Sequence, residues 1–297
     1  MKRQSISRED SVSNIRIAFF LNLGFTIIEV FGGFWTNSIT ILSDALHDLG
    51  DSLSLGLSWI LERYSKKKKD GRYSYGYRRY SLLAALINGL ILVAGSVYIL
   101  CEAVPRLLQP EQVNEKGMML FAAAGIIVNG AALLKLRRGK SLNEKVIALH
   151  LFEDVLGWVV ILIMSIVMVF KYIPLLDPVF SILFIIFILY RVIINLKKAF
   201  SILLQAVPEG INIEEIERKI LGIKKVVSVH NIHVWSMDSI NNVLSAHVVV
   251  EDDTVSTEII LIRKKIKKII GTLGIEHSTI EIEYESEFCN LKNRECF

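Results

Sequence analysis

"LSDALHDLGDSLSLGLSWIL", residues 42–61, opens as a polar mixture and closes as an apolar helix, and its centre sets His47 and Asp51 four positions apart. On an α-helix, residues i and i+4 share a face, so this imidazole and carboxylate point at one spot. About a hundred residues later, "HLFED" (150–154) repeats the spacing with His150 and Asp154, directly before the apolar run "VLGWVVILIMSIVMVF" (155–170). Ionisable groups inside apolar spans are costly and mark pathways. Two matched pairs in one chain ask for a common purpose.

The rest of the chain supplies the setting. Of 297 residues, 52% are hydrophobic, and the mean hydropathy of +0.46 lies above that of a soluble domain. The long apolar runs fall before about residue 200, and the remainder alternates apolar and charged residues. Three cysteines, Cys101, Cys289 and Cys296, are too few for a disulfide framework. The opening "MKRQSISRED" has no apolar centre and does not read as a cleavable signal peptide.

Six segments reach the roughly 20 residues that a bilayer requires: about 14–35, 39–63, 79–104, 116–137, 144–171 and 176–197. Lys and Arg crowd the first ten residues, the second link (63–79), the fourth link (135–145) and the exit of the sixth segment, and are sparse in the other links. The positive-inside rule then places both termini in the cytoplasm. A soluble helical bundle would not sort its bases onto every second connection. The run "KKKKDGRYSYGYRR" (66–79) could pass for a nucleic-acid patch, but beside a span it reads as a contact with anionic lipid.

Beyond residue 205 the pattern changes. "INIEEIERKILGI" (211–223) and "EIILIRKKIKKIIGTLGI" (258–275) have helical spacing, while "VVSVHNIHVWSM" (226–237), "NVLSAHVVVED" (242–252) and "STIEIEYE" (278–285) alternate as strands do. The order helix, strand, strand, helix, strand predicts a small α+β domain with one sheet face on two helices. The domains expected are therefore a six-helix membrane domain over 1–204 and a cytoplasmic domain over 205–297.

By this topology the second span runs inward and the fifth outward, which sets both His/Asp pairs about 10–15 Å deep. Two antiparallel helices would then offer two imidazole nitrogens and two carboxylate oxygens to one point. Such a tetrahedral set suits zinc, and cobalt, iron, manganese and cadmium remain acceptable to it. Asp44, Asp48 and Glu153 lie off the shared face and read as outer partners or as solvated residues near the helix ends. Asn22, Glu29, Asn88 and Asn129 read as packing hydrogen-bonders, and Cys101 as a packing residue.

The stretches "SDALHDLGDSLSLG" (43–56), "GRYSYGYRRYSLLAALINGLILVAGSVYILCEAVPRL" (71–107), "HLFEDVLGW" (150–158) and "VHNIHVWSM" with "LSAHVVVED" (229–252) resemble the cation diffusion facilitator family. The resemblance implies six transmembrane helices carrying a transport site on His47, Asp51, His150 and Asp154. It implies zinc more than manganese, a homodimer, and exchange of cytoplasmic zinc for external protons by alternating access. It further implies a ferredoxin-like, metallochaperone-like cytoplasmic domain that binds regulatory zinc. The loop "KLRRGKSLNEK" (135–145) lacks the histidines that many zinc members carry there.

The chemistry supports proton exchange separately, because metal binding needs neutral imidazole and ionised carboxylate and so releases protons. An intramembrane metalloenzyme would need an open coordination position and a general base, and no HExxH, phosphate loop or nucleophile elbow occurs. A metal-gated channel would hold a divalent ion too long for fast conduction. The expected activity is therefore transport, not catalysis, in the cell membrane.

In the C-terminal region, alternation sets His230 and His247 on neighbouring strands, Glu283 can join them from the last strand, and the tail adds Cys289 and Cys296. The positions that match the family's ligands are His230, His247, His277 and Glu283. His233, three residues from His230, faces the other side and reads as structural.

Overall fold

Each of the six apolar segments contains a helix. The computed structural model describes residues 20, 22–65, 67, 69–136 and 142–287, and of 142–150 the helix alone. The helices are α1 (22–36), α2 (Ile39–Ser65), α3 (Tyr80–Leu108), α4 (Glu115–Leu136), α5 (Leu142–Phe170) and α6 (Leu176–Leu203). Among the described residues, three stretches are long and apolar enough to cross a membrane: Tyr80–Leu108, Leu151–Phe170 and Leu176–Leu203. Charge explains the case of α2, which carries Asp44, Asp48 and Asp51.

Two compact units result, one containing the helices up to Glu62 with Ala84–Leu196, the other Arg63–Leu83 with the chain from Lys197 onward. In the first, the outward surface is apolar: Phe31, Leu90, Tyr98, Ile127, Ile163 and Leu183 are all exposed. The interior holds the polar exceptions, as the hydrocarbon core of a bilayer requires.

The start of α2 shows how buried polarity is satisfied. Asn37 turns the chain in the left-handed region (φ 55°), and Ser38 caps α2 by accepting from the Ile41 amide at 3.2 Å. Asp177, in the first turn of α6, accepts from the Ile39 amide at 2.7 Å, the Thr40 amide at 3.2 Å and the Ser38 hydroxyl at 2.5 Å. These are orphan donors at the positive end of the α2 dipole, so a buried carboxylate is well placed there. Thr40 Oγ1 donates to the Asp177 carbonyl at 2.8 Å, and Ser43 meets Ser181 at 2.7 Å, which fixes α2 against α6.

Apolar packing completes this unit. Ile41, Met118, Trp158, Ile161, Met164 and Met168 form one cluster, and Ile39, Leu92, Ile99, Ile185, Ile188 and Val192 another. The Trp158 indole lies so close over Gly125 that a Cβ there would overlap it. A small residue at this helix contact is a packing requirement.

The second unit has the expected order: α7 (Ile213–Leu221), β1 (Val226–Ser236), β2 (Asn242–Val250), α8 (Ser256–Gly271) and β3 (Ile275–Tyr284). Asn212 caps α7 by accepting from the Glu215 amide at 3.2 Å, and Ile216 and Ile220 turn inward. In α8, Ile262, Ile266 and Ile270 recur every fourth residue and are buried. The sheet order is β1-β2-β3, with β1 and β2 antiparallel and β3 parallel to β2 across α8. Leu244, Ala246, Val248 and Val250 of β2 meet the two helices in the core.

The described part of the basic second link is a folded loop. Asp70 accepts from the amides of Arg72 (2.9 Å) and Tyr73 (3.0 Å) and from the Tyr77 hydroxyl (2.7 Å). The Tyr77 hydrogen bond is the largest influence holding the Asp70 carboxyl below its usual range. Within the same unit Arg78 lies 4.0 Å from Asp238, at the β1–β2 turn. Cys101, expected to pack, is exposed on α3.

Candidate metal centres

In the helical unit, α2 presents Thr40, Asp44, His47 and Asp51 along one stripe, because steps of three and four residues stay on one helix face. Thr40, Asp44 and His47 line a cavity of about 470 Å³ together with Asp154 and Gly157 of α5 and Phe180, Phe184 and Phe187 of α6. His47 Nε2 stands 3.6 Å from Asp51 Oδ2, and Phe184 meets the imidazole edge-on at 5.9 Å between centroids. Asp154 is buried. At the rim, Arg191 and Glu153 form an exposed ion pair at 3.5 Å. His47 of α2 and the Asp154 carboxylate of α5 thus share one cavity, whose remaining wall is apolar, and Asp51 reaches it through His47. The His150 side chain lies outside the described residues, although its backbone belongs to α5.

Two expectations are corrected by burial. Asp44 (5% exposed) and Asp48 (2% exposed) are not solvated residues near a helix end, and Asp44, expected off the shared face, lines the same cavity as His47. α1 covers one side of α2 here and α6 covers the other: Asn22 of α1 donates to the Asp48 carbonyl at 3.1 Å and to Ser52 at 3.0 Å. Asn22 is therefore the packing hydrogen-bonder expected, as is Asn88, which donates to Ser54 at 2.8 Å. Glu29 is not. It is wholly buried, and neither carboxylate oxygen has a hydrogen-bond partner among the described residues. An acid inside "FTIIEVFGGFW" (25–35) was signal enough to suspect more than packing.

The second unit gathers its own cluster. Antiparallel pairing sets His230 directly opposite His247, with ring centroids 5.2 Å apart. Glu283 of β3 is buried between them, its oxygens 2.5 Å from His247 Nδ1 and 3.4 Å from His230 Nε2. One donor atom from each of the three residues lies within 4.8 Å of the others. Two imidazoles and a carboxylate are a donor set that zinc accepts at about 2.0–2.2 Å each, so the residues fit a metal after a small contraction. Glu281, which sequence reasoning missed, lies 3.4 Å from His247 Nε2. It pairs with His247 in the β2–β3 register, and alternation puts it on the Glu283 face.

The structure does not bring His277 into this cluster. Six residues before Glu283 on β3, it lies about 20 Å away along the strand, and its ring meets Tyr75 edge-on at 5.6 Å. His233 is exposed, beyond a bulge in β1, and contacts Asn231 at 2.6 Å. Cys289 and Cys296 lie outside the described residues.

Comparison with known proteins places both regions. Residues 15–204 match the cation efflux transmembrane domain. Residues 208–285 match the cytoplasmic domain of cation efflux proteins (ZT_dimer), a match that indicates a homodimer. The cadmium, cobalt and zinc/H(+)-K(+) antiporter of Bacillus subtilis is 36% identical over 274 residues, covering 91% of this chain and 88% of its own. The metal cation efflux system protein CzcD of Cupriavidus metallidurans is 33% identical over 91% of this chain and 86% of its own. The zinc transporter ZitB of Escherichia coli is 30% identical over 94% of this chain and 90% of its own.

Proposed function

The chain belongs to the cation diffusion facilitator family of cation efflux proteins, and on that premise we propose that it exports cytoplasmic zinc in exchange for protons. It is an integral membrane transporter of metal cations. In our reading it has six spanning helices over residues 1–204, both termini in the cytoplasm, and a metal-binding, dimer-forming domain over 205–297. The transport site consists of His47, Asp51, His150 and Asp154. The observation that supports this is the cavity that His47 of α2 and Asp154 of α5 both line, with Asp51 3.6 Å from His47.

Zinc is the substrate that this N/O set favours. Cadmium and cobalt, which the Bacillus relative is named for, are tolerated by the same donors. That name also includes potassium beside the proton as a counter-ion. Binding requires neutral imidazole and ionised carboxylate, so loading the site releases protons and acid on the far side discharges it. His230, His247 and Glu283 serve as a regulatory zinc site that reads cytoplasmic metal, with Glu281 at its edge.

Zinc titration of the purified full-length protein tests the assignment. Asp51→Ala and Asp154→Ala should each weaken one class of zinc site by more than the 10–100-fold typical of losing an outer-shell partner, leaving the cytoplasmic class intact. Wild-type titrations in both variants would refute it.

A further inference from the structure

The cavity that His47 and Asp154 line has one charged end. Glu153 is the first lining residue of α5 and Arg191 the last of α6, so on these antiparallel neighbours they mark the same end. Arg191 Nη1 donates to Glu153 Oε2 at 3.5 Å, and the guanidinium lies over the Phe187 ring, 5.6 Å from its centroid. Leu183, Phe187 and Arg191 recur every fourth residue and so share one face of α6. Glu153 directly precedes Asp154, yet Asp154 is buried while the Glu153 side chain is 46% exposed. Val160, at the far end of the same wall, lies about 10 Å further along α5. The ion pair therefore stands at the mouth nearer the start of α5, which is the cytoplasmic mouth in the orientation proposed above.

A guanidinium is an odd choice for this place. Apart from His47, Arg191 is the one basic side chain among the described lining residues. Its neighbours on the rim, Leu156, Leu183 and Phe187, are apolar and outward. Alone there it would be costly, and it would repel a dication bound for His47 and Asp154. Glu153 cancels its charge. An exposed pair of this kind adds little to stability and opens readily. A dication carries twice the charge of guanidinium and competes for the same carboxylate. Once it takes Glu153, it repels Arg191 from the mouth, and Asp154 lies one residue further on.

We propose that Glu153 and Arg191 form an ion-pair latch at the mouth of the transport cavity. Glu153 is the first carboxylate that an incoming divalent cation meets, and Arg191 bars the mouth until the cation displaces it. The inference rests on the transport reading above and adds to it two residues outside the ligand set. They act with opposite sign, Glu153 drawing the ion in and Arg191 holding it out. A bond that served only to pack α5 on α6 would make the loss of either partner alike.

Zinc uptake into everted vesicles, at a fixed pH difference and over a range of zinc concentrations, gives KM for each variant. Glu153→Gln leaves Arg191 uncompensated and should raise KM about tenfold, whereas Arg191→Gln frees Glu153 and should lower KM about threefold. The double variant should fall between the two. KM values that stay unchanged, or that move the same way in both single variants, overturn the proposal. Should a glutamine variant not fold, Glu153→Ala or Arg191→Ala is read in its place, with the same expected sign. A wild-type protein that moves no zinc defeats the transport reading and the latch with it, whereas wild-type transport with parallel KM shifts defeats the latch alone.

Discussion

Asp177 and Asp44 are both buried carboxylates in contact with α2, and their surroundings are opposite. Asp177 receives two backbone amides and a hydroxyl from the start of that helix. Asp44, one turn further along, lines a cavity and lies in the field of Asp154 and Asp51. A buried charge met by fixed donors is finished and serves the fold. In the transport reading proposed here, one met by further acids awaits a cation and serves traffic. The same contrast separates the two histidine-bearing clusters. His230 and His247 sit on a hydrogen-bonded sheet with a buried carboxylate between them, suited to holding metal. His47 lines a cavity between helices, with Asp51 3.6 Å away, and the proposed transport reading has them pass it.

Substitution can break these contrasts, beginning with the largest effect. Asp177→Ala leaves the α2 amides and Ser38 unpaired in an apolar setting, and should cost about 3 kcal/mol of stability, read by unfolding in detergent. Zinc transport per folded molecule should survive. Next, His247→Ala should weaken zinc binding at the cytoplasmic cluster about 10–100-fold or more while reducing transport without abolishing it. Zinc affinity there should fall as pH falls, because protons compete for the imidazoles. Asp44→Asn removes one of the mutually repelling acids and should stabilise the metal-free protein by about 1 kcal/mol while slowing zinc transport. A loss of stability equal to that of Asp177→Ala would dissolve the distinction between the two acids.

The smallest effect belongs to the surface of the cytoplasmic unit. Lys225 donates to Glu258 at 2.9 Å and to Asp253 at 3.1 Å, and the Glu258 bond holds that carboxyl below its ordinary range. A depressed carboxyl stabilises the fold above its unfolded pKa, and the contribution is lost as pH falls from the ordinary glutamate value of about 4.3. Lys225→Met should therefore blunt the acid sensitivity of α8, seen as a smaller difference in its hydrogen-exchange protection between neutral pH and a pH below about 4.

Much of this was legible in the chain itself. Apolar segments of membrane length located six helices, and alternation located three strands and put His230 and His247 on neighbouring ones. The i, i+4 spacing brought His47 to Asp51 because one helix face is a local property. What failed was non-local. Whether Asp44 and Asp48 meet water depends on α1 and α6 covering α2 from two sides, which spacing along α2 does not encode. His277 has the strand parity of Glu283 but the wrong distance along β3, where its ring meets Tyr75 edge-on. Glu281 was hidden because its role depends on the β2–β3 register, which only the folded crossover fixes.

Proton-driven zinc uptake into everted membrane vesicles tests the central claim most directly. Wild-type vesicles with an acidic interior should accumulate zinc against its gradient and stop when an ionophore collapses the pH difference. Asp154→Ala vesicles with the same amount of folded protein should accumulate none. Accumulation at the wild-type rate in Asp154→Ala would contradict a transport site built on α2 and α5.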